Sequence, residues 1–268
     1  MASIFFDGTD DYASHSNSYG NLPTAVPVTL SAWVRMTSGW GTGTHTILKI
    51  GDWSYKDFFR IQAFKNSSGV TRFEAGSHHG SERKAQHGSS ITDDQWYHVC
   101  GVFTSATSRQ VYVNGVAGTE NTQTSEPDGS KFERVSIGAS KDTGSATITA
   151  FLKGRISEVA VWGSALTTAE INQLKDGYSA ILVNRENLRG YWPIGGIFHG
   201  VNQTTNSTNE VDLIGNLDLT MHNQAVVNQT ISPSITYPSL SLVKRFTASP
   251  ATSSALLHVI QSYFNVNR

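Results

Sequence analysis

The chain is divided into short apolar runs by turn residues, and this spacing constrains its fold more than any other feature. β-Branched and aromatic runs at 28–36, 46–50, 58–64, 71–75, 96–104, 109–113, 134–137 and 156–162 alternate with clusters of Gly, Asn, Asp and Ser. Strands at this spacing, with almost no helical periodicity between them, predict an all-β antiparallel sandwich rather than alternating βα units. In the run from Trp96, period-two alternation places Trp96, His98, Cys100 and Val102 on one face and Tyr97, Val99, Gly101 and Phe103 on the other. Both faces carry apolar groups, which predicts a central strand. Asn114-Gly115 predicts a two-residue hairpin turn, because both residues tolerate positive φ. Thr167 and Glu170 form a capping-box pattern, predicting one short helix that runs to about Lys175 and stops at Gly177.

A chain of 268 residues can withdraw roughly three quarters of its unfolded surface from water, so a core of this size needs no covalent staples. The single cysteine, Cys100, excludes an intrachain disulfide and reads as a small core residue. Twenty basic and 21 acidic residues leave no basic stripe for nucleic acid, and no run of 18 apolar residues provides for membrane insertion. His78, His79 and His87 fall in a Gly- and Ser-rich stretch and read as exposed loop histidines. Adjacent His78 and His79 would point to opposite faces of a strand, which disfavours a shared metal.

Five segments, in order, carry a family resemblance: Phe6-Asp7-Gly8-Thr9-Asp10-Asp11-Tyr12, Val28-Thr29-Leu30-Ser31-Ala32-Trp33-Val34, Trp96-Tyr97-His98-Val99, Val111-Tyr112-Val113-Asn114-Gly115, and Gly154 through Trp162 with Ala165 through Ile171. Together they resemble the laminin-G-like, concanavalin A-like jelly-roll family. The resemblance implies two packed antiparallel sheets with Greek-key wiring. Gly190-Tyr191-Trp192-Pro193 and the 212–220 segment follow the helix here, whereas many relatives place such segments before the first strand. The sandwich is therefore expected to be circularly permuted, with the Tyr191 strand packing beside the amino-terminal strand. Residues 1–231 are expected to form the sandwich. Residues 232–268, rich in Pro, Ser and Thr, form a carboxy-terminal arm that either caps it or docks on a partner or sister subunit.

Enzymes share this fold, but glycoside hydrolysis in such relatives draws on Glu-x-Asp-x-Glu patterns along one strand, and no such string occurs here. Gly-x-Ser-x-Gly, phosphate-loop and His-Glu-x-x-His motifs are also missing, so a non-enzymatic chain is expected. Calcium is the metal that the resemblance brings in, with Asp7, Asp10, Asp11 and Glu158 as hard oxygen ligands. The same aspartates also suit a plain turn. Trp40, Trp53 and Tyr55 lie in Gly-rich stretches that read as loops and are candidate glycan-binding aromatics, with packing as the alternative. Trp33, Trp96, Trp162 and Trp192 fall in strand patterns and read as core.

Met1-Ala2-Ser3 leads directly into Ile4-Phe5-Phe6 with no basic or apolar leader, so synthesis in a cytoplasm is expected. Val161 through Thr167 with Leu182-Val183, Tyr191-Trp192-Pro193 and Tyr237-Pro238 also resemble segments of tailed-bacteriophage structural proteins. The resulting expectation is a bacteriophage capsid decoration or appendage protein on the virion surface, present in multiple copies. Its partners would be capsid or tail proteins, sister subunits and cell-surface glycans. The alternative is a secreted or cell-surface carbohydrate-binding module.

Overall fold

The computed structural model describes residues 3–16, 22–52, 56–88, 90–140, 147–194, 209–223 and 226–228. The strands are β1 (Ser3–Asp7), β2 (Tyr12–Ser16), β3 (Val28–Met36), β4 (Gly43–Gly51), β5 (Asp57–Lys65), β6 (Thr71–His79), β7 (Ser81–His87) and β8 (Trp96–Ser105). They continue as β9 (Ser108–Val113), β10 (Val116–Ala117), β11 (Arg134–Ile137), β12 (Lys153–Trp162), β13 (Leu188–Trp192), β14 (Asn209–Glu210), β15 (Leu219–His222) and β16 (Val226–Asn228), with helix α1 (Thr168–Lys175) between β12 and β13. All pair antiparallel into two sheets. The first runs β10-β9-β8-β3-β12-β1-β16, with β13 also on β12; the second runs β14-β15-β2-β11-β4-β5-β6-β7.

The main core fills the space between the sheets. Leu30, Ala32, Val34 and Met36 of β3 and Tyr97, Val99 and Phe103 of β8 face Phe59, Ile61, Phe73 and Ala75 of the second sheet. The Phe59 and Phe103 rings meet at 4.8 Å, and a Cβ built on Gly101 would lie 2.6 Å from Ile61 Cγ2. Glycine is what lets the sheets close at that point. The alternation read from the Trp96 run holds, since its other set, Cys100 and Val102, belongs to a second apolar cluster on the outer face of the first sheet.

Helix α1 exists to cover that cluster. Thr167 Oγ1 accepts from Glu170 N, the Glu170 carboxylate accepts from Thr167 N, and Gly177 at φ +88° ends the element. Ile171 and Leu174, one helical turn apart, pack with Ala180 and Ile181 over Cys100, Ala160 and Trp162. The Trp162 indole donates to Val183 O at 3.0 Å. Burial of each large side chain there stabilises the fold by about 1.5–3 kcal/mol.

A bulge in β12 sets which residues look outward. Ser157 pairs Trp33 and Ala160 pairs Ser31, so three residues of β12 advance against two of β3. Glu158 occupies the bulge at φ +54°. Before it, Arg155 and Ser157 share the outer face; after it, Ala160 and Trp162 do.

The segment after the helix is built into both sheets. β13 pairs β12 beyond the end of β1, on the edge of β12 opposite β3, while β15 pairs β2 and β16 pairs β1. Trp192 is fully buried and donates to Leu217 O at 2.8 Å. The expected arm at 232–268 lies outside the described residues.

Candidate functional site

The first-turn aspartates converge. One carboxylate oxygen each from Asp7, Asp10 and Asp11 lies within 4.8 Å of the others. Local geometry explains the convergence, because Asp7 Oδ1 accepts from Thr9 N and Asp10 N while Asp11 Oδ2 accepts from Asp7 N. Burial, with the charges of Asp7 and Asp10, raises the Asp11 carboxyl to about 6. Hard oxygen donors crowded together fit a calcium ion in chemistry. Glu158 does not join them: Asp7 pairs Lys153, which puts Glu158 five residues further along β12, about 17 Å away. Its buried carboxylate instead accepts a short hydrogen bond from the Tyr191 hydroxyl, which also meets Ser179 Oγ at 2.9 Å. Glu158 therefore stands apart from the three aspartates with which the sequence grouped it.

Trp40 is also corrected. Although its segment is a loop, the indole is 3% exposed, donates to Asp93 Oδ1 at 2.9 Å and packs edge-on to His45. At that burial, with Lys65 Nζ 5.1 Å from its ring, the indole is a packed side chain rather than an exposed stacking surface. Trp53 and Tyr55 lie outside the described residues. The three histidines are in strands rather than loops: His78 and His79 end β6, His87 ends β7, and only His79 is exposed. His78 and His79 do point to opposite sides. His78 stacks on Phe58 and bonds Lys56 O, whereas His79 bonds Asp57.

The outer face of the second sheet carries a ladder of paired charges. The fully buried Glu74 carboxylate accepts from Gln62 (2.5 Å), Arg72 (2.6 Å) and Gln86 (3.3 Å), with Lys84 Nζ at 3.4 Å. Glu82 pairs Arg60 at 2.9 Å and Lys84 at 3.6 Å. Burial would raise the Glu82 carboxyl, but Arg60 and Lys84 outweigh it and hold the group below the usual carboxylate range. These two carboxylates are thus ion-pair partners, and Glu82 is held ionised rather than kept as an acid able to give up a proton.

The outer face of the first sheet is different. Direct cross-strand pairing sets Phe5, Arg155, Arg35 and Trp96 in one row across β1, β12, β3 and β8, and the next row holds Ser157, Trp33 and His98. Phe5, Trp33 and Trp96 are half-buried on a sheet face, not core. Arg35 donates Nε to Asp94 O at 2.8 Å and pairs Asp94 Oδ1 at 3.1 Å, which fixes its guanidinium. The Arg155 guanidinium lies 5.1 Å from the Phe5 ring. Trp33 leans on His98 at 5.5 Å, and His98 Nε2 meets Ser31 Oγ at 2.8 Å. Burial, reinforced by the charge of Lys175, holds His98 down to about 3, so it stays neutral. Beside this row, Ser31, Trp33, His98, Glu158, Tyr178 and their neighbours line a small recess.

The sequence reading assigned Trp33 and Trp96 to the core from strand membership alone. Their alternation held the signal, because Leu30, Ala32, Val34 and Met36 are the core-facing set of β3, leaving Thr29, Ser31, Trp33 and Arg35 outward. A flat sheet face carrying aromatic rings and hydrogen-bonding groups can stack and orient a polar ring-shaped ligand.

Two packed antiparallel sheets and a short covering helix define a concanavalin A-like jelly-roll sandwich. Residues 7–172 match the family described as the concanavalin A-like lectin/glucanases superfamily, and the chain belongs to it. No curated protein matches the chain. Among solved structures, it is similar to a "putative carbohydrate binding protein" from Bacteroides ovatus, at 18% identity and TM-score 0.58, covering 87% of this chain and 61% of that one. It is also similar to the heptameric SAP-like pentraxin from Limulus polyphemus, at 19% identity and TM-score 0.51, covering 65% of this chain and 81% of that one. Tailspike protein 2 of the Escherichia coli O157:H7 bacteriophage CAB120 matches at 14% identity and TM-score 0.46, covering 72% of this chain and 30% of that one. At these identities the likeness is one of fold.

Proposed function

We propose that this chain is a non-catalytic carbohydrate-binding module whose binding face is the outer side of the first sheet at Phe5, Trp33 and Trp96. The observation that carries the reading is the placement of three half-buried aromatic rings on an outer sheet face, beside side chains able to hydrogen-bond a sugar. Aromatic stacking on the apolar faces of a sugar, oriented by a few polar groups, is the physics such recognition needs. The ion-paired state of Glu74 and Glu82 supports binding without turnover. A glycan array probed with the full chain tests this: retention on saccharide spots with no reducing sugar released supports it, and hydrolysis of a bound saccharide overturns it.

The setting we propose is the surface of a bacteriophage virion, as a capsid decoration or appendage protein in contact with capsid or tail proteins and with sister copies. Its support is the resemblance of the Val161 through Thr167 and Tyr191-Trp192-Pro193 segments to tailed-phage structural proteins. Multicopy display also suits a shallow site, since a millimolar contact supplies only about 4 kcal/mol and avidity multiplies it by about 100-fold or more. Mass spectrometry of purified particles tests the setting, and absence of the chain from them contradicts it. The Asp7, Asp10 and Asp11 turn is proposed as a calcium site on the strength of its 4.8 Å convergence.

A further inference from the structure

Arg155 and Arg35 are direct cross-strand partners on adjacent strands. Like charges so placed repel each other, and the sheet gains nothing from the pairing unless something else neutralises it. Among the described residues one carboxylate, Asp94, answers the pair, and it is bound to Arg35 through both side chain and carbonyl. Among the described residues, the buried Arg155 Nη1 finds no hydrogen-bond partner. Its surroundings make this costly: burial, and then the charge of Arg35, push the Arg155 guanidinium below its ordinary range. Aromatic rings flank the pair, Phe5 beside Arg155 and Trp96 beside Arg35, in a row about 14 Å long, with Trp33 diagonal to Arg155 in the next row.

We infer that this row is a subsite for a carboxylated sugar, with Arg155 taking the carboxylate and the flanking rings taking the face of the sugar ring. The inference rests on the reading of this face as the glycan surface and adds the ligand class. A planar guanidinium fork matches a planar carboxylate in a bidentate pair. The local charge also closes: Arg35 and Arg155 against Asp94 leave one positive charge, which one carboxylate neutralises. Asp94 then serves as a positioning residue, holding Arg35 aside so that Arg155 is presented.

The test uses the full chain on an array that includes oligosaccharides ending in sialic or uronic acid and their neutral counterparts, followed by calorimetric titration of the strongest acidic saccharide and its methyl ester. The inference expects the ester to bind at least tenfold more weakly than the acid. Arg155→Gln should lose about tenfold for the acid with no change for the ester, and Arg155→Lys should fall between, with near-ultraviolet circular dichroism unchanged. If Arg155→Gln does not fold, the acid-to-ester ratio of the unaltered chain decides, together with weakening of acid binding alone as salt rises. Equal affinity for acid and ester, or acid binding indifferent to Arg155→Gln, overturns the carboxylate assignment; if Trp33→Ala then abolishes both, the glycan face itself stands. No binding to any saccharide, or tighter binding of an oligoglutamate peptide than of any sugar, overturns both readings.

Discussion

His98 shows how a single side chain ties this face to the stability of the fold. Its backbone N–H donates to Asn114 Oδ1 at 2.9 Å, anchoring the Asn114-Gly115 hairpin turn, while its ring supports Trp33 and meets Ser31. The imidazole is fully buried and held to about 3, against 6.5 when unfolded. The unfolded chain therefore takes up a proton that the folded chain refuses. The stabilisation is complete above pH 6.5 and is lost as pH falls toward 3, at up to about 1.4 kcal/mol per unit. Urea unfolding should lose on the order of 2 kcal/mol between pH 7 and pH 5 through this residue. His98→Gln should flatten that slope, and an unchanged slope would contradict the assignment. Asp11 works in the opposite sense. Its raised value, about 6, means that its contribution is present below 3.8 and is lost as pH rises through 6, leaving crowded carboxylates at neutral pH. Millimolar calcium at pH 7 should raise the melting temperature by a few degrees. Asp11→Asn should abolish that rise, and a chelator-insensitive, calcium-insensitive melt would contradict the site.

At the scale of elements, α1 holds the cover over Trp162 and the recess beside it. Thr167→Ala removes the side-chain half of the capping box and should cost about 1 kcal/mol in chemical denaturation. A variant as stable as the parent would show that packing of Ile171 and Leu174 alone sets the helix. The helix and most strands were legible because their signals are local: the capping box, Asn-Gly, and alternation in β3 and β8. β7 was not, because Ser81–His87 is polar almost throughout and buries only Ala85 and His87, so His87 read as loop. The Asp7, Asp10 and Asp11 turn could be seen because three or four residues make it. Glu158 could not be placed, since a one-residue bulge in β12 decides where it points. Trp40 depends on Asp93, 53 residues along the chain, which no window around Gly39-Trp40-Gly41 contains.

At the scale of the molecule, both sheets need the segment after the helix. Trp192, Leu217 and Leu219 are fully buried in the main core, and β15 and β16 extend the second and first sheets. Ending the chain after residue 187 should therefore abolish cooperative unfolding by circular dichroism; a retained sharp transition would show that 1–187 is independent. The proposed glycan recognition rests on the outer face of the first sheet, where the alternation of β3 and β8 turns two tryptophans away from the core. The direct measurement is binding of the full chain to a glycan array, compared with the double variant Trp33→Ala, Trp96→Ala at matched melting temperature. The account predicts saccharide binding that the double variant loses. A chain that binds no saccharide, or binds equally well without both indoles, would contradict it.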